Sequence, residues 1–508
     1  MNTPAVSEMS YINGKPIEGG GEAFDVLDPA TGSPVQRYRL ATSQDVATAV
    51  RAARAAYREW SSATPADRAT ALTAMAAVLT DRAAELAEAE TSQTGKPTRL
   101  ATGFDVPGTI DNTAFFAGAA RILEGSAAGE YSPDHTSMIR REAIGVVGSI
   151  APWNYPLQMA GWKILPAIAA GNTIVLKPAE ITPLTAMMMA RAATEAGIPD
   201  GVVNVVTGTG AEAGAALTGC PDVDMVSFTG STAVGRRVMA DCAGRAARVH
   251  LELGGKAPFV VFADADLTAA VHGAVAGSLI NTGQDCTAAT RAYVHISLID
   301  DFVAAVADLF AGIVLGDPRD PGTDLGPLSS ARHRDAVAGF VDRARAQGGT
   351  VRQAGELPGG EFADGFWYRP TLITGLTQQA EAAQQEIFGP VLVVLPFADD
   401  DEALALANDS PFGLAASAWT TDVRRALRAG RELRAGTVWI NDHIPIFSEM
   451  PHGGYGASGF GKDMSTYSLH EYTQIKHVAL DLTGRAEKDW HRTIFDLRPG
   501  SAPSASGR

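Results

Sequence analysis

The segment "NTGQDCTAATR", Asn281 to Arg291, sets Cys286 directly after Asp285 in a short polar stretch. A thiol there is either a nucleophile or a small buried side chain. A neighbouring carboxylate disfavours the thiolate, so a working Cys286 must tolerate Asp285 for some other gain. Upstream, "LELGGKAP" places Glu252 in an apolar run before two glycines. Burial there would raise its pKa toward neutrality, as a general base needs, though a paired structural acid would look the same. In "APWNYPLQMAGWK", Ala151 to Lys163, Asn154 stands between aromatics and prolines. Its amide could donate to a developing oxyanion or simply bond nearby backbone in a turn. Trp153, Tyr155 and Trp162 suit a core or the wall of an apolar pocket.

Two further stretches suit binding. "LKPAEITP" puts Lys177 and Glu180 at the end of a predicted strand, where they could grip an adenosine ribose or form an exposed ion pair. An acid at that place disfavours a 2′-phosphate, so NAD is preferred over NADP. "SFTGSTAVG" ends a strand in Gly230 and Ser231 and runs into a helix, whose N-terminal N–H groups suit a pyrophosphate. The third glycine of the full dinucleotide fingerprint is missing, and turns rich in Gly, Ser and Thr are common.

These residues need a frame. Strands and helices alternate through "TIVLKP", a helix from Pro183 to Ala196, "VVNVV", a helix from Ala211, "MVSFTG" and a helix from Ser231. That alternation predicts a parallel sheet with crossover helices and a ligand at the strands' carboxyl ends. After Leu253 it restarts with "APFVVF", a helix from Leu267 to Ile280 and "RAYVHI", which marks a boundary between two α/β domains. Helical spacing also covers Asp45 to Trp60, and Pro65 to Thr91 reads as one long helix or a pair. Met1 to Glu8 and Gly500 to Arg508 carry no periodicity and are expected to lack structure.

With 508 residues, the chain should divide into two or three domains. Cys220, Cys242 and Cys286 are too few and too scattered for a disulfide framework or a thiolate metal site, so no metal is expected and a reducing compartment is. The sequence reads as soluble, untargeted and cytoplasmic. A net charge of −16 with dispersed basic residues argues against nucleic-acid or anionic-membrane partners.

Taken in order, these segments, with "QEIFGPV" (Gln385 to Val391) and "MPHGGYGASGFGKD" (Met450 to Asp463), resemble the aldehyde dehydrogenase superfamily over about residues 10 to 480. The resemblance implies an α/β aldehyde dehydrogenase fold. Its Rossmann-like cofactor domain would take residues 9–126 and 147–253, its catalytic domain 254–457, and a small β oligomerisation arm the strands near 127–146 and 464–482. A homo-oligomer, dimer or tetramer, is expected, and residues 484–508 run past the usual end as a partly disordered extension. Position by position, Cys286 would form a thiohemiacetal with the aldehyde, held by the Asn154 amide and the Cys286 N–H. Hydride would pass to NAD, leaving a thioester, and Glu252 would activate the water that hydrolyses it. Lys177 and Glu180 would hold the adenine ribose, Gly230 and Ser231 the pyrophosphate, and Glu386 and Phe388, beside Trp153, the nicotinamide ribose and ring. The presence of Glu252 argues against an acylating, coenzyme A-dependent relative.

Within that superfamily, "GQDCTAATR", "FFAGAARILEGSAAGEY", "HTSMIRREAIGVVGSIAPWNYPL" and "SEMPHGGYGASGFGKDMSTY" resemble bacterial γ-aminobutyraldehyde dehydrogenases. The implied substrate is 4-aminobutanal, derived from putrescine. Asp285 would attract an ammonium and repel a carboxylate substrate. Asp105 falls where related aminoaldehyde enzymes carry a channel acid, and His452, Tyr155 and Trp162 are further pocket candidates. Betaine aldehyde or a broad range of ω-aminoaldehydes is the alternative substrate class. A non-catalytic binding or structural protein on the same fold is the alternative of a different kind.

Overall fold

The computed structural model describes residues 6–125 and 128–495. One compact unit is formed by Met1–Leu123 and Ala143–Thr473. It contains two large sheets. The first has eight strands, in spatial order Gly459–Phe460, Arg248–Leu253, Met225–Gly230, Val146–Ile150, Thr173–Lys177, Val203–Val205, Ser10–Ile12 and Lys15–Ile17. Its five central strands run parallel, and antiparallel strands close both edges. Thr173–Lys177 is buried at every position, which explains its continuous apolar and β-branched run in place of alternation. Around this sheet the helices have clear starts. Ser43–Ser62 and Pro65–Asp81 each open on a reciprocal Thr–Asp capping box, and Pro65 adds the favoured proline of a first turn.

The chain crosses to the second sheet within a few residues, from Leu253 through Gly254 and Gly255 to Ala257. That sheet has seven strands, in order Thr350–Gln353, Thr371–Thr374, Val391–Phe397, Ala289–His295, Ala257–Val261, Ala415–Trp419 and Thr437–Ile440, parallel apart from its first edge. Glu252 therefore ends a strand of one sheet, while the loop carrying Cys286 leads into a strand of the other. Glu252 and Cys286 thus meet at the seam between the two sheets, within 4.8 Å of each other.

The second unit comprises Glu124–Glu142 and the chain from Gln474 onward. Its strands belong to a three-stranded sheet built from Gly129–Ser132, His135–Ala143 and Thr473–Asp481. Tyr131, Ile475 and Leu482 are exposed there, as are Trp490, Ile494 and Phe495 after it.

Of the two readings of Pro65 to Thr91, the structure has the pair of helices, broken at Arg82 and resumed over Ala83–Thr94. Other local expectations are corrected. The helix expected from Ala211 begins as a wide turn, Gly210–Gly214, and continues only to Gly219. The arm strand expected from 464 starts at Thr473, because Ser465–Glu471 forms a helix that buries Ser465, Ser468 and Leu469 in the first unit. Of the ends expected to lack structure, Val6–Ser7 pairs as a short strand with Pro34–Arg39, whereas Met1 to Ala5 and residues 496–508 lie outside the described residues. Among the described residues no helix is long and apolar enough to cross a membrane.

Candidate active site

A cavity of about 270 Å³ opens at the seam and is lined by Cys286, Asn154, Asp285, Glu386 and His452, with Trp153, Tyr155, Trp162 and Phe388 as aromatic walls. Phe104, Met159, Leu253, Ile444 and Ile446 add to its apolar surface. Among the described residues, no lysine or arginine lines it.

The loop before Cys286 is held in an unusual backbone conformation. Asn281, Thr282 and Gly283 all adopt left-handed φ, at 49°, 58° and 69°. For β-branched Thr282 that is a strained state, which persists only where its surroundings over-determine it. They do so here. Thr282 Oγ1 donates to Gly326 O at 3.0 Å, the Asn281 amide donates to the Asn154 and Gln284 carbonyls, and Gln284 donates to Asn281 O while accepting from Ser329 N. A Cβ on Gly283 would stand 2.1 Å from Gly389 O, so only glycine fits. Asn154 belongs to the same net. Its side-chain amide donates to Gln284 O at 3.0 Å, which fixes the amide plane and leaves a second N–H.

Asp285 is tied on both oxygens. Oδ1 accepts from Thr287 N and Oγ1 at 2.6 and 2.7 Å, and Oδ2 accepts from the Tyr155 hydroxyl at 2.7 Å. The carboxylate thus caps the turn that presents Cys286 and forms part of the cavity wall. Burial, then Asp285, Glu252 and Glu386, push the Cys286 thiol well above its ordinary pKa. Burial likewise raises Glu252, only partly offset by His452, whose Nε2 stands 3.4 Å from Glu252 Oε1 without hydrogen-bond alignment. Burial pushes the imidazole's pKa down, but Glu252, Asp463 and Asp285 outweigh it and leave the pKa raised. His452 also packs on Trp162, with ring centroids 4.9 Å apart.

On the other side, Thr229, Gly230 and Ser231 line the same cavity. Ser231 caps helix Thr232–Ala243 without a side-chain bond, and Thr229 Oγ1 is buried with no hydrogen-bond partner. These free donors at a helix start suit a pyrophosphate. Glu386 accepts from Gly255 N at 2.9 Å, and burial pushes its pKa up to about 7. Phe388 is held at φ 60° with its ring edge-on to Trp153, 5.4 Å between centroids, while His333 bonds the Phe388 carbonyl. Lys177 and Glu180 lie outside the cavity lining, 3.5 Å apart at the end of strand Thr173–Lys177. Lys177 also donates to Pro178 O and Gly208 O. An adenosine at that strand end and a nicotinamide beside Trp153 and Phe388 match the donors and ring faces present.

One expected residue is displaced. Asp105 is fully buried and absent from the cavity wall, because the Lys96 ammonium, itself buried, takes its Oδ2 at 2.8 Å. Lys96 also lies 3.8 Å from Glu90 and 4.3 Å above the Tyr155 ring. Sequence reasoning passed over this cluster, since its residues lie in separate helices and turns and only the fold closes them around Tyr155.

The aldehyde dehydrogenase family model matches residues 17–478. Among solved structures, betaine aldehyde dehydrogenase from Staphylococcus aureus, in complex with NAD+, is 37% identical with a TM-score of 0.92, covering 96% of each chain. An aldehyde dehydrogenase from Bacillus cereus, also an NAD+ complex, is 38% identical with a TM-score of 0.90 over 94% of this chain and 97% of that one. PnpE from Pseudomonas sp. WBC-3 is 40% identical with a TM-score of 0.92 over 96% and 100%. With the nucleophile loop, the buried carboxylate and the fold all in place, the chain belongs to the aldehyde dehydrogenase family.

Proposed function

We propose that this NAD-dependent aldehyde dehydrogenase oxidises a short aldehyde bearing a terminal ammonium, 4-aminobutanal, to 4-aminobutanoate. The observation that carries the substrate reading is the cavity's charge. Asp285 and Glu386 line it without a lysine or arginine, between aromatic walls. A cation is attracted there and a carboxylate repelled. The same aromatics would suit a quaternary cation, which keeps betaine aldehyde as the second reading.

The chemistry follows from the positions of the groups. Cys286 Sγ attacks the carbonyl carbon, its proton passing to Glu252, whose carboxylate lies within 4.8 Å of the sulfur. The Asn154 N–H left free by Gln284 and the Cys286 backbone N–H stabilise the oxyanion. Bound NAD supplies the hydride acceptor. Glu252 passes the thiol proton on to solvent and, ionised again, takes a proton from the water that hydrolyses the resulting thioester on Cys286.

The hydrogen bonds of Asp285 decide how the reading is tested. Asp285→Ala would remove the cap on the Cys286 turn and slow every substrate. Asp285→Asn keeps the acceptor for Thr287 and removes the charge, with an N–H₂ donor in place of the oxygen that accepts from the Tyr155 hydroxyl. Its kcat/KM for 4-aminobutanal is expected to fall about 10- to 100-fold, the worth of a charged hydrogen bond, with hexanal little affected. NADH formation with 4-aminobutanal, betaine aldehyde, succinate semialdehyde and hexanal reads both. Hexanal or succinate semialdehyde winning in the unaltered enzyme would defeat the aminoaldehyde reading.

The three-stranded sheet of the second unit is assigned in this reading to oligomerisation, on the strength of exposed Tyr131, Ile475 and Leu482. Changing Tyr131 and Ile475 together to Glu is expected to shift sedimentation from a dimer or tetramer toward the monomer. An unchanged mass would remove the sheet from that role.

A further inference from the structure

We infer that Glu252, Cys286 and His452 form a binding site for a borderline-soft divalent cation, zinc or cadmium, that reversibly blocks the enzyme. One carboxylate oxygen, one sulfur and one imidazole nitrogen from these residues all lie within 4.8 Å of one another. Tetrahedral zinc, with bonds of about 2.0–2.3 Å, spaces its ligand atoms about 3.5 Å apart, so side-chain rotations of about an ångström close the set.

The partners of these groups supply an independent argument. Neither oxygen of Glu252 and neither ring nitrogen of His452 has a hydrogen-bond partner, although both side chains are almost wholly buried. Buried polar atoms are ordinarily satisfied, and here one unbonded oxygen of Glu252 and one unbonded nitrogen of His452 stand within 4.8 Å of the thiol with lone pairs open to coordination. The surrounding charge has the right sign. Asp285 and Glu386 flank the site, Lys163 is fully paired with Asp463, and among the described residues no lysine or arginine lines the cavity. Ligand chemistry then selects the ion. Thiolate with imidazole and one carboxylate suits zinc or cadmium and not magnesium, which needs an oxygen shell.

Binding involves no change of oxidation state. The Cys286 S–H bond breaks, its proton goes to solvent and a sulfur–metal bond forms, while the neutral imidazole and the carboxylate each donate a lone pair. The blocking half of the inference rests on Cys286 as nucleophile and Glu252 as base, since the metal occupies both. The binding half does not.

The probe is the metal alone, on the full chain. Cobalt(II) is expected to give a thiolate-to-metal charge-transfer band at one ion per chain, absent in Cys286→Ser. Zinc should inhibit NADH formation reversibly on chelation, and magnesium should not. In His452→Gln and in His452→Phe, which retains a ring against Trp162, zinc affinity is expected to fall at least about tenfold, the scale on which ligand-shell changes act. X-ray absorption of the zinc-loaded unaltered chain should report one sulfur and at least one imidazole, whichever variant fails to fold. Absence of the cobalt band, a zinc shell without imidazole, or unaltered zinc affinity in both folded His452 variants would overturn the site. A chain that forms no NADH from any aldehyde yet shows the cobalt band would defeat the enzymatic reading and leave the metal site standing.

Discussion

Glu252→Gln is expected to turn steady NADH formation into a single burst of about one equivalent per active site. Steady-state turnover should fall about 10²- to 10⁴-fold, the usual worth of a positioned general base. The substitution keeps the shape of a side chain that is almost fully buried at the end of its strand, so the fold has little reason to change. What disappears is a proton acceptor within 4.8 Å of the Cys286 sulfur. In the proposed mechanism Glu252 also takes the thiol proton, so the burst should be slower as well, and its amplitude, not its rate, is diagnostic. Acid quenching and mass measurement should find Cys286 carrying the acyl group. The pH profile gives a second check. Burial raises the Glu252 pKa, and the base form is populated above that value, so hydrolysis in the unaltered enzyme should climb with pH at values above the ordinary carboxylate range. That limb should vanish in the Gln variant. Steady turnover near the unaltered rate, with no acyl mass on Cys286, would assign the base elsewhere.

The same burial accounts for a tension around the nucleophile. Asp285, Glu252 and Glu386 all oppose the Cys286 thiolate, and among the described residues no lysine or arginine lines the cavity to offset them. For Asp285 the compensating gain is structural as well as electrostatic. Its Oδ1 holds Thr287 and its Oδ2 holds the Tyr155 hydroxyl, which locks the turn carrying the sulfur. A carboxylate that fixes the loop explains why an acid is tolerated next to the thiol, and in the proposed reading the same charge attracts the substrate's ammonium.

Much of this was legible in the sequence where a local pattern dictates a local outcome. The buried strand Thr173–Lys177 shows in its unbroken apolar run, and Cys286, Glu252 and Asn154 show in short motifs whose chemistry needs those residue types. The fold places these three around one cavity or its edge. Asp105 was misplaced because a sequence position before a helix does not say which way a side chain turns. Lys96, nine residues earlier, captures it, and no local pattern announces that pair. The left-handed run Asn281–Gly283 was hidden for a similar reason. Asn and Gly permit such a backbone, but Thr282 resists it, and only contacts from Gly326 and Gly389 compel it.

The Lys96 cluster leads to the largest expected effect on stability. Lys96, Glu90 and Asp105 have no exposed side-chain surface, and the single ammonium serves two carboxylates while lying over the Tyr155 ring. Lys96→Met removes the cation and keeps the stem. Breaking a buried pair from one side costs about 3–5 kcal/mol, because the remaining charge is left without a partner. The sign with pH follows from Glu90, which burial, partly opposed by Lys96, pushes up to about 7. A carboxyl raised in the folded state favours folding below its unfolded pKa, and that advantage is lost as pH rises through the folded value. Without Lys96 both carboxyls must stay protonated or stand as unpaired anions. The loss in unfolding midpoint should therefore be small near pH 5.5 and large near pH 8. Activity should fall with it, since Glu90 accepts the Leu157 N–H at the start of the helix that follows Asn154 and Tyr155. Adding Asp105→Leu should recover part of the stability at pH 8, because an apolar replacement of a buried pair is often close to neutral. Equal destabilisation of Lys96→Met at both pH values would show that the lysine acts through packing alone, and would detach the cluster from the electrostatics of the site.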